Sequence, residues 1–352
     1  MKKHLTAALF ALMSLVVSLS ACGGSDDDNG AKPEGGGGNT TETVERTLAK
    51  GADVSWLTQL EQEGKTFCNA KGEKKECMQL LKELGCNAIR LRVWVNPSDG
   101  WCGKDDVLAK ARRAQALGMR LMIDFHYSDS WTDPGKQNVP ESWQGYTLGQ
   151  LQKAVAEHTS DVLSTLKVNG IDVEWVQIGN ETSSGMLWPL GQAQGSQFAG
   201  YVSLNNAGYD AAKSVYPDAL CVIHLDRGQE LAHCTWMFDG MRAGGAKWDV
   251  IGLSLYPSDS DWQDCARLCL DNMQTLARRY NTKVMLCEIG MSWDSPNASA
   301  MLEKMVDGCK SIDDCLGIFY WEPECPPGWH GYTLGAFDNE GKPTAALDAF
   351  AR

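Results

Sequence analysis

The 352-residue chain is 43% hydrophobic and 22% charged, with a mean hydropathy of −0.30, which supplies a sizeable core and excludes disorder over its bulk. Its 32 Lys and Arg against 45 Asp and Glu leave a net charge of −13, a poor match for nucleic acid or for an anionic membrane surface. The length allows one large domain or two small ones.

The chain opens on Met1-Lys2-Lys3, followed by an apolar run from Leu5 to Ser18 that is too short to span a bilayer and suits a secretory signal. Leu19-Ser20-Ala21-Cys22 resembles a bacterial lipobox, so residues 1–21 read as a lipoprotein signal peptide and Cys22 as the lipidated first residue. Ordinary cleavage with Cys22 as a bystander is the alternative. Residues 22–47, acidic and glycine-rich, read as a flexible tether. Ser25 and the acids Asp26, Asp27 and Asp28 behind Cys22 resemble the surface-export signal of Bacteroidetes lipoproteins. The expected location is therefore the outer membrane, at the cell surface, with a periplasmic leaflet as the alternative. Cys22 aside, 12 of the 13 cysteines remain, and an even number in an exported chain suggests disulfides. Cys309–Cys315 and Cys265–Cys269 are close enough to bridge, whereas Cys221 and Cys287 sit in strand-like runs as candidate buried thiols. No spacing suits zinc.

From residue 48 to 352, short apolar strands alternate with helical stretches. Strands are predicted at 50–56, 87–95, 120–127, 173–181, 220–227, 249–256, 283–289 and 316–322, with helices such as 74–84, 107–117, 148–167 and 268–280 between them. Gly85 and Gly118 read as helix-ending glycines. Eight β-then-α units of roughly 38 residues each predict a (β/α)8 TIM barrel. A doubly wound sheet would normally carry a Gly-rich phosphate turn after its first strand, which Gly51-Ala52-Asp53-Val54 is not.

Strand alternation separates two faces. Ile89, Leu91 and Val93 oppose Arg90, Arg92 and Trp94; Leu121, Ile123 and Phe125 oppose Met122, Asp124 and His126. One face is smoothly apolar, as a layer beneath helices should be. The other collects Asp53, Arg92, Asp124, His126, Glu181, Ser254, Tyr256, Glu288 and Trp321 toward its C-terminal end, where barrel active sites sit. Glu181 closes the fourth strand and Glu288 the seventh, three strands apart around the ring. Two carboxylates facing across a barrel mouth suit glycosidic cleavage, with Arg92 and Tyr256 expected to keep one charged and desolvation to keep the other neutral. Glu322 and Glu324 are second choices, because alternation turns Glu322 away from Trp321 and Glu324 lies beyond the strand.

Gly51-Ala52-Asp53-Val54-Ser55, Leu91-Arg92-Val93-Trp94-Val95-Asn96-Pro97, the run from Asp124 to Gln137, Gly179-Asn180-Glu181-Thr182, His224-Leu225-Asp226 and Tyr320-Trp321-Glu322-Pro323 are together similar to glycoside hydrolase family 53, the endo-β-1,4-galactanases of clan A. That resemblance implies Glu181 as acid/base, Glu288 as nucleophile and Asn180 on the sugar 2-hydroxyl. It also implies Arg92, His126 and Tyr256 around the nucleophile and Trp321 as the floor of the site. Asp53, Asp129 and Asp226 are implied sugar partners with less support, and Trp94 stands among the strand-end tryptophans able to stack on a sugar.

The expected reaction is retaining endo-hydrolysis of galactan by a monomer, without organic cofactor. Some family members bind calcium in the loop after strand seven. Here residues 290–297 are short and carry a single Asp, so no metal is expected. Another clan A specificity, such as a mannanase or cellulase, or a non-catalytic surface glycan-binding protein, are the rival readings.

Overall fold

A computed structural model describes residues 47–352; the predicted signal peptide, Cys22 and the tether as far as residue 46 lie outside the described residues. Eight parallel strands close into a barrel: β1 (Ala49–Asp53), β2 (Ala88–Val93), β3 (Arg120–Phe125), β4 (Trp175–Ile178), β5 (Leu220–Leu225), β6 (Val250–Leu255), β7 (Lys283–Ile289) and β8 (Cys315–Trp321). Neighbours in sequence pair in order, and β8 returns to β1. The expected (β/α)8 barrel is the observed one.

Helices follow the strands: α1 (Leu57–Gln62) and α2 (Cys77–Glu83) after β1, then α3 (Lys104–Ala116), α4 (Leu148–Val168), α5 (Phe198–Val215), α6 (Leu231–Ala243), α7 (Trp262–Tyr280) and α8 (Ala298–Lys310). A 3-10 helix, Ala345–Ala351, packs against α8 in place of a final α-helix. Local chemistry sets several of these ends. Thr147 and Gln150 form a reciprocal capping box at the start of α4. Gly85 and Gly118, at φ +100° and +67°, stop α2 and α3 in the left-handed region.

Three helices differ from expectation at their N-termini, α3 by starting at Lys104 rather than 107. Lys74–Lys75 pairs with Phe67–Cys68 in a short antiparallel hairpin, so α2 starts at Cys77, capped by the Glu76 carboxylate accepting from Gln79 N–H at 2.6 Å. The last helix named above as 268–280 begins earlier, at Trp262.

The alternation of strand residues produces two apolar layers. Ile89, Leu91, Val93, Ile123, Phe125, Leu253 and Ile289 pack outward under the helices. A separate inner cluster of Ala49, Ala88, Met122, Trp175, Val222, Val250, Met285, Cys287 and Phe319 fills the lower lumen. Above it the lumen turns polar, with Asp53, Arg90, Asp124, Gln177, His224 and Ser254 all buried.

Two departures from plain strand geometry aim the polar residues. In β7 the register steps from Leu253↔Leu286 to Ser254↔Glu288, leaving Cys287 as an extra residue. Met285 and Cys287 already face the lumen, so strict alternation would put Glu288 outside; the bulge turns it in. Beyond β3, β4, β5 and β8, the residues Tyr127, Glu181, Arg227 and Glu322 take φ of +50°, +42°, +52° and +44°. Non-glycine residues enter this region at a cost of about 1–3 kcal/mol each, which the surrounding packing must offset.

The twelve described cysteines are free thiols, and the expected bridges are not formed. Most occupy the apolar layers, where a thiol packs as a small hydrophobe; Cys309 and Cys315 are nonetheless in thiol–thiol contact. Among the described residues no helix is long and apolar enough to cross a membrane.

The lumen is filled tightly enough to test. A Cβ on Gly51 would sit 2.2 Å from the ring of Phe319, which is fully buried against Trp175. Gly51→Ala should therefore destabilise the barrel by about 1–3 kcal/mol in urea or thermal unfolding. An unchanged midpoint would show that the Phe319 ring has room to move.

Candidate active site

At the C-terminal end of the barrel, His126, Trp131, Thr132, Asp133, Asn180, Glu181, Tyr256, Glu288, Trp321, Tyr332 and Leu334 enclose a cavity of about 300 Å³. Glu181 and Glu288 meet there: an oxygen of each, and a ring nitrogen of His224, all lie within 4.8 Å of one another. The two carboxylates expected to face each other across the mouth do so.

Their surroundings differ in kind. Glu288 is buried, with one oxygen on Arg90 Nη2 at 2.9 Å and the other accepting from the Tyr256 hydroxyl at 2.8 Å. Glu181 is partly buried, and its one protein partner is the Ser254 hydroxyl, which donates to Oε1 at 2.8 Å. Burial, and then the charge of Glu288, push Glu181 up to about 8. Burial also raises Glu288, to about 7, against the opposing pull of Arg90 and Tyr256. Arg90 and Tyr256 favour the ionised form of Glu288, whereas Glu181 has only the Ser254 hydroxyl, so this geometry favours Glu288 as the carboxylate of the pair.

Arg90 organises the polar lumen. Its guanidinium reaches Asp53 Oδ2 at 2.7 Å and Asp124 Oδ2 at 2.9 Å, besides Glu288. It also donates to Gln177 Oε1 at 3.1 Å and to Asn180 Oδ1 at 3.0 Å. This corrects the expectation for Arg92. Arg92 pairs instead with Glu322 and lies 4.1 Å over the ring of Trp131, with Trp56 and Trp94 each 5.3 Å away. The left-handed turn at Glu322 brings its carboxylate back into the barrel, against the prediction from alternation, and there it captures Arg92. Glu322 also accepts from Trp56 N–H at 3.1 Å. Glu324 is buried beside Glu322, and burial together with the charge of Glu322 raises it far above the ordinary carboxyl range.

Other expected residues fall into two groups. His126 lines the cavity, its Nε2–H donating to Asp124 Oδ2 at 3.0 Å while Nδ1 accepts from Thr132 N–H at 3.3 Å. Asn180 accepts Arg90 on Oδ1 and donates to Thr132 O at 2.9 Å, so one amide hydrogen stays free for a ligand. Tyr256 and Trp321 line the cavity as expected.

The remaining candidates have other partners. Asp53, fully buried, accepts from Ser55 and Arg90 and cannot reach a sugar. Asp129 braces two loops through Asn96 N–H at 2.9 Å and Glu141 N–H at 2.8 Å. Asp226 is held by Ser183, Arg227 and His233, though it stands near enough to Glu181 to raise it. Trp94 lines the adjoining cleft of about 500 Å³ together with Trp56, Trp131, Trp321, Trp329 and Tyr332.

Sequence reasoning placed Arg90 on the polar face without a role at the site and did not single out Gln177, Tyr332 or a role for His224. Arg90 shares its face with Arg92, and nothing in the spacing says which reaches Glu288. Tyr332 arrives from a loop with no strand pattern to place it.

The loop 290–297 does not fit calcium. Its single carboxylate, Asp294, accepts from Ser292 Oγ at 2.7 Å, and calcium takes 6–8 oxygen ligands. The one converging donor group among the described residues, Glu181, His224 and Glu288, lies in the cavity itself.

Comparison with known proteins agrees with this geometry. Residues 49–301 match the sequence profile of Glycosyl hydrolase family 53. Arabinogalactan endo-beta-1,4-galactanase A of Aspergillus niger is 33% identical over 302 residues, 78% of this chain and 84% of its own. Two solved structures are similar: one from a study of two fungal beta-1,4-galactanases (TM-score 0.79, 27% identity, 87% of this chain and 99% of that one), the other the GH53 catalytic domain of Ignisphaera aggregans (TM-score 0.78, 28% identity, 88% and 97%). With a family-wide match over most of its length and a carboxylate pair at the mouth of its barrel, this chain belongs to glycoside hydrolase family 53 and is a glycoside hydrolase.

Proposed function

We propose that the chain hydrolyses internal β-1,4-galactosidic bonds of galactan and type I arabinogalactan with retention of anomeric configuration. The observation that carries this is the approach of Glu181 and Glu288 oxygens to within 4.8 Å, in environments that separate their protonation. Retaining enzymes hold their carboxyl groups about 5–5.5 Å apart, whereas inverting enzymes leave roughly 6.5 Å or more for a water. The names of the similar fungal enzymes support galactan as the substrate.

Glu288, kept ionised by Arg90 and Tyr256, attacks the anomeric carbon while protonated Glu181 gives its proton to the departing glycosidic oxygen. A covalent galactosyl-enzyme results. Glu181, now a carboxylate, then draws a proton from water, and the water oxygen displaces Glu288 from the sugar. The free amide hydrogen of Asn180 serves the 2-hydroxyl, and the Trp321 ring forms the floor under the sugar. The aromatic cleft beside the cavity offers stacking faces for further residues of a chain, which favours endo cleavage. No step requires an organic cofactor or a metal. Ahead of the barrel, the Cys22 lipobox supports an outer-membrane lipoprotein; the catalytic unit is read as a monomer.

Proton NMR of a linear β-1,4-galactan digest should show the β anomer of new reducing ends first, with α following by mutarotation. Appearance of α first would refute retention, and no reducing ends at all would refute the substrate.

The rate should follow a bell. kcat/KM rises as Glu288 ionises and falls as Glu181 does, with limbs near the values of about 7 and about 8 to which burial raises them. Tyr256→Phe removes a donor that favours ionised Glu288, so its acid limb should move to higher pH while the alkaline limb stays. A shift of the alkaline limb alone would exchange the two roles.

Cys22→Ser should abolish palmitate labelling and release the protein from the membrane fraction. Retention of both would place the anchor elsewhere.

A further inference from the structure

Glu181 has two oxygens, and only one can carry the proton given to the leaving group. Four buried side chains around it decide which, provided each donor is followed to its acceptor.

The chain of constraints begins at Arg90, which can only donate. It gives hydrogen bonds from Nε and Nη2 to one oxygen, Gln177 Oε1, at 3.2 and 3.1 Å. The Gln177 amide is thereby oriented, with Nε2 as its donor end. Gln177 Nε2 donates to Asp124 Oδ1 at 2.5 Å and lies 3.1 Å from both Gly179 O and His224 Nδ1. The main-chain N–H of Glu181 also points at His224 Nδ1, at 3.3 Å. A peptide N–H has nothing to accept with, so Nδ1 is the unprotonated nitrogen. Asn180 Oδ1 stands 3.1 Å from it as well, but that oxygen can accept from either side, so the Glu181 N–H, which can only donate, decides the tautomer. Burial, reinforced by Arg90, lowers His224 to about 3 and keeps the ring neutral, so its hydrogen sits on Nε2.

From there the direction is forced. Nε2–H donates to Ser254 Oγ at 2.8 Å. The single hydroxyl hydrogen of Ser254 must then go to its other partner, Glu181 Oε1, at 2.8 Å. An oxygen receiving that hydrogen is the carbonyl oxygen of the acid. No described group bonds Oε2.

We propose that Ser254 and His224 are positioning residues that hold the acid proton of Glu181 on Oε2, the oxygen left free for the substrate. The inference rests on Glu181 being the acid/base, as read above. In the first step the Oε2–H bond breaks as the proton joins the glycosidic oxygen. That oxygen keeps the electron pair of the cleaved C1–O bond, and Glu288 supplies the pair for the new one. In the second step Oε2 takes the proton of the incoming water. Through both steps Oε1 stays bonded to Ser254, so the carboxyl group does not rotate between its two duties.

Ser254→Ala should lower kcat/KM on galactan about tenfold, part of the 10²–10⁴ that a positioned acid contributes. On a 2,4-dinitrophenyl β-galactobioside, whose phenolate leaves without a proton, kcat/KM should stay within about twofold. Loss of a donor that favours the carboxylate should also move the alkaline limb of the galactan profile to higher pH. Ser254→Thr, which keeps the hydroxyl, should restore both readouts. Equal losses on the two substrates with an unmoved limb would overturn the proposal.

Neutron diffraction of the deuterium-exchanged wild-type protein gives a reading free of any folding defect. Deuterium on His224 Nε2 and Glu181 Oε2 is expected, and deuterium on Nδ1 or on Oε1 overturns the proposal. Glu181→Ala separates this from the catalytic reading. It should keep turnover of the dinitrophenyl substrate through the glycosylation step and be rescued by azide. If it does neither, the acid/base assignment itself falls, whatever Ser254 does.

Discussion

A buried guanidinium must be surrounded by acceptors, and Arg90 meets that demand with Asp53 from β1, Asp124 from β3, Gln177 from β4 and Glu288 from β7. A single charged group on β2 thus ties its own strand to four others across the lumen, at the height of the carboxylate pair. Burying a charge in so dry a place is costly unless it is paired, and breaking the pairing leaves an uncompensated charge, which locks the constellation in one geometry. The positions of Glu288 and of the Asn180 amide are both tied to this one side chain.

The same arrangement creates an excess of carboxyl groups over guanidinium groups. Asp53, Asp124 and Glu288 share Arg90, while Glu322 takes Arg92. Glu181 has neither cation beside it, only a hydroxyl donor, and so keeps its proton longest of the facing pair. Glu324, buried next to Glu322 and reached by neither arginine, is likewise pushed far above the ordinary carboxyl range. The proposed acid and nucleophile are therefore distinguished by which carboxyl groups the two arginines reach, rather than by anything intrinsic to glutamate.

Aromatic rings complete the mouth. Arg92 lies under Trp131, with Trp56 and Trp94 beside it, so its charge stiffens the aromatic cluster without facing the substrate. Trp321 joins the catalytic cavity to the neighbouring cleft, in edge contact with Trp56, Trp131 and Tyr332. The floor of the proposed sugar site and the wall of the cleft are one packed unit.

Alternation of apolar and polar residues along each strand determined the barrel, its two apolar layers and the end at which polar groups gather, because a side-chain period of two is a local property of extended backbone. It also placed Glu181, Tyr256 and Trp321. The pairing of Arg90 rather than Arg92 with Glu288 was not legible, since both lie on one face and only the strand tilt and the acceptors opposite choose between them. Glu322 was misaimed by simple alternation and is re-aimed by a left-handed turn; Glu288 was placed at the mouth, but the one-residue bulge that turns it inward was not foreseen. Such features arise from the register of one strand against its neighbour and from packing at the barrel rim. They depend on residues distant in sequence, so only the closed barrel decides them.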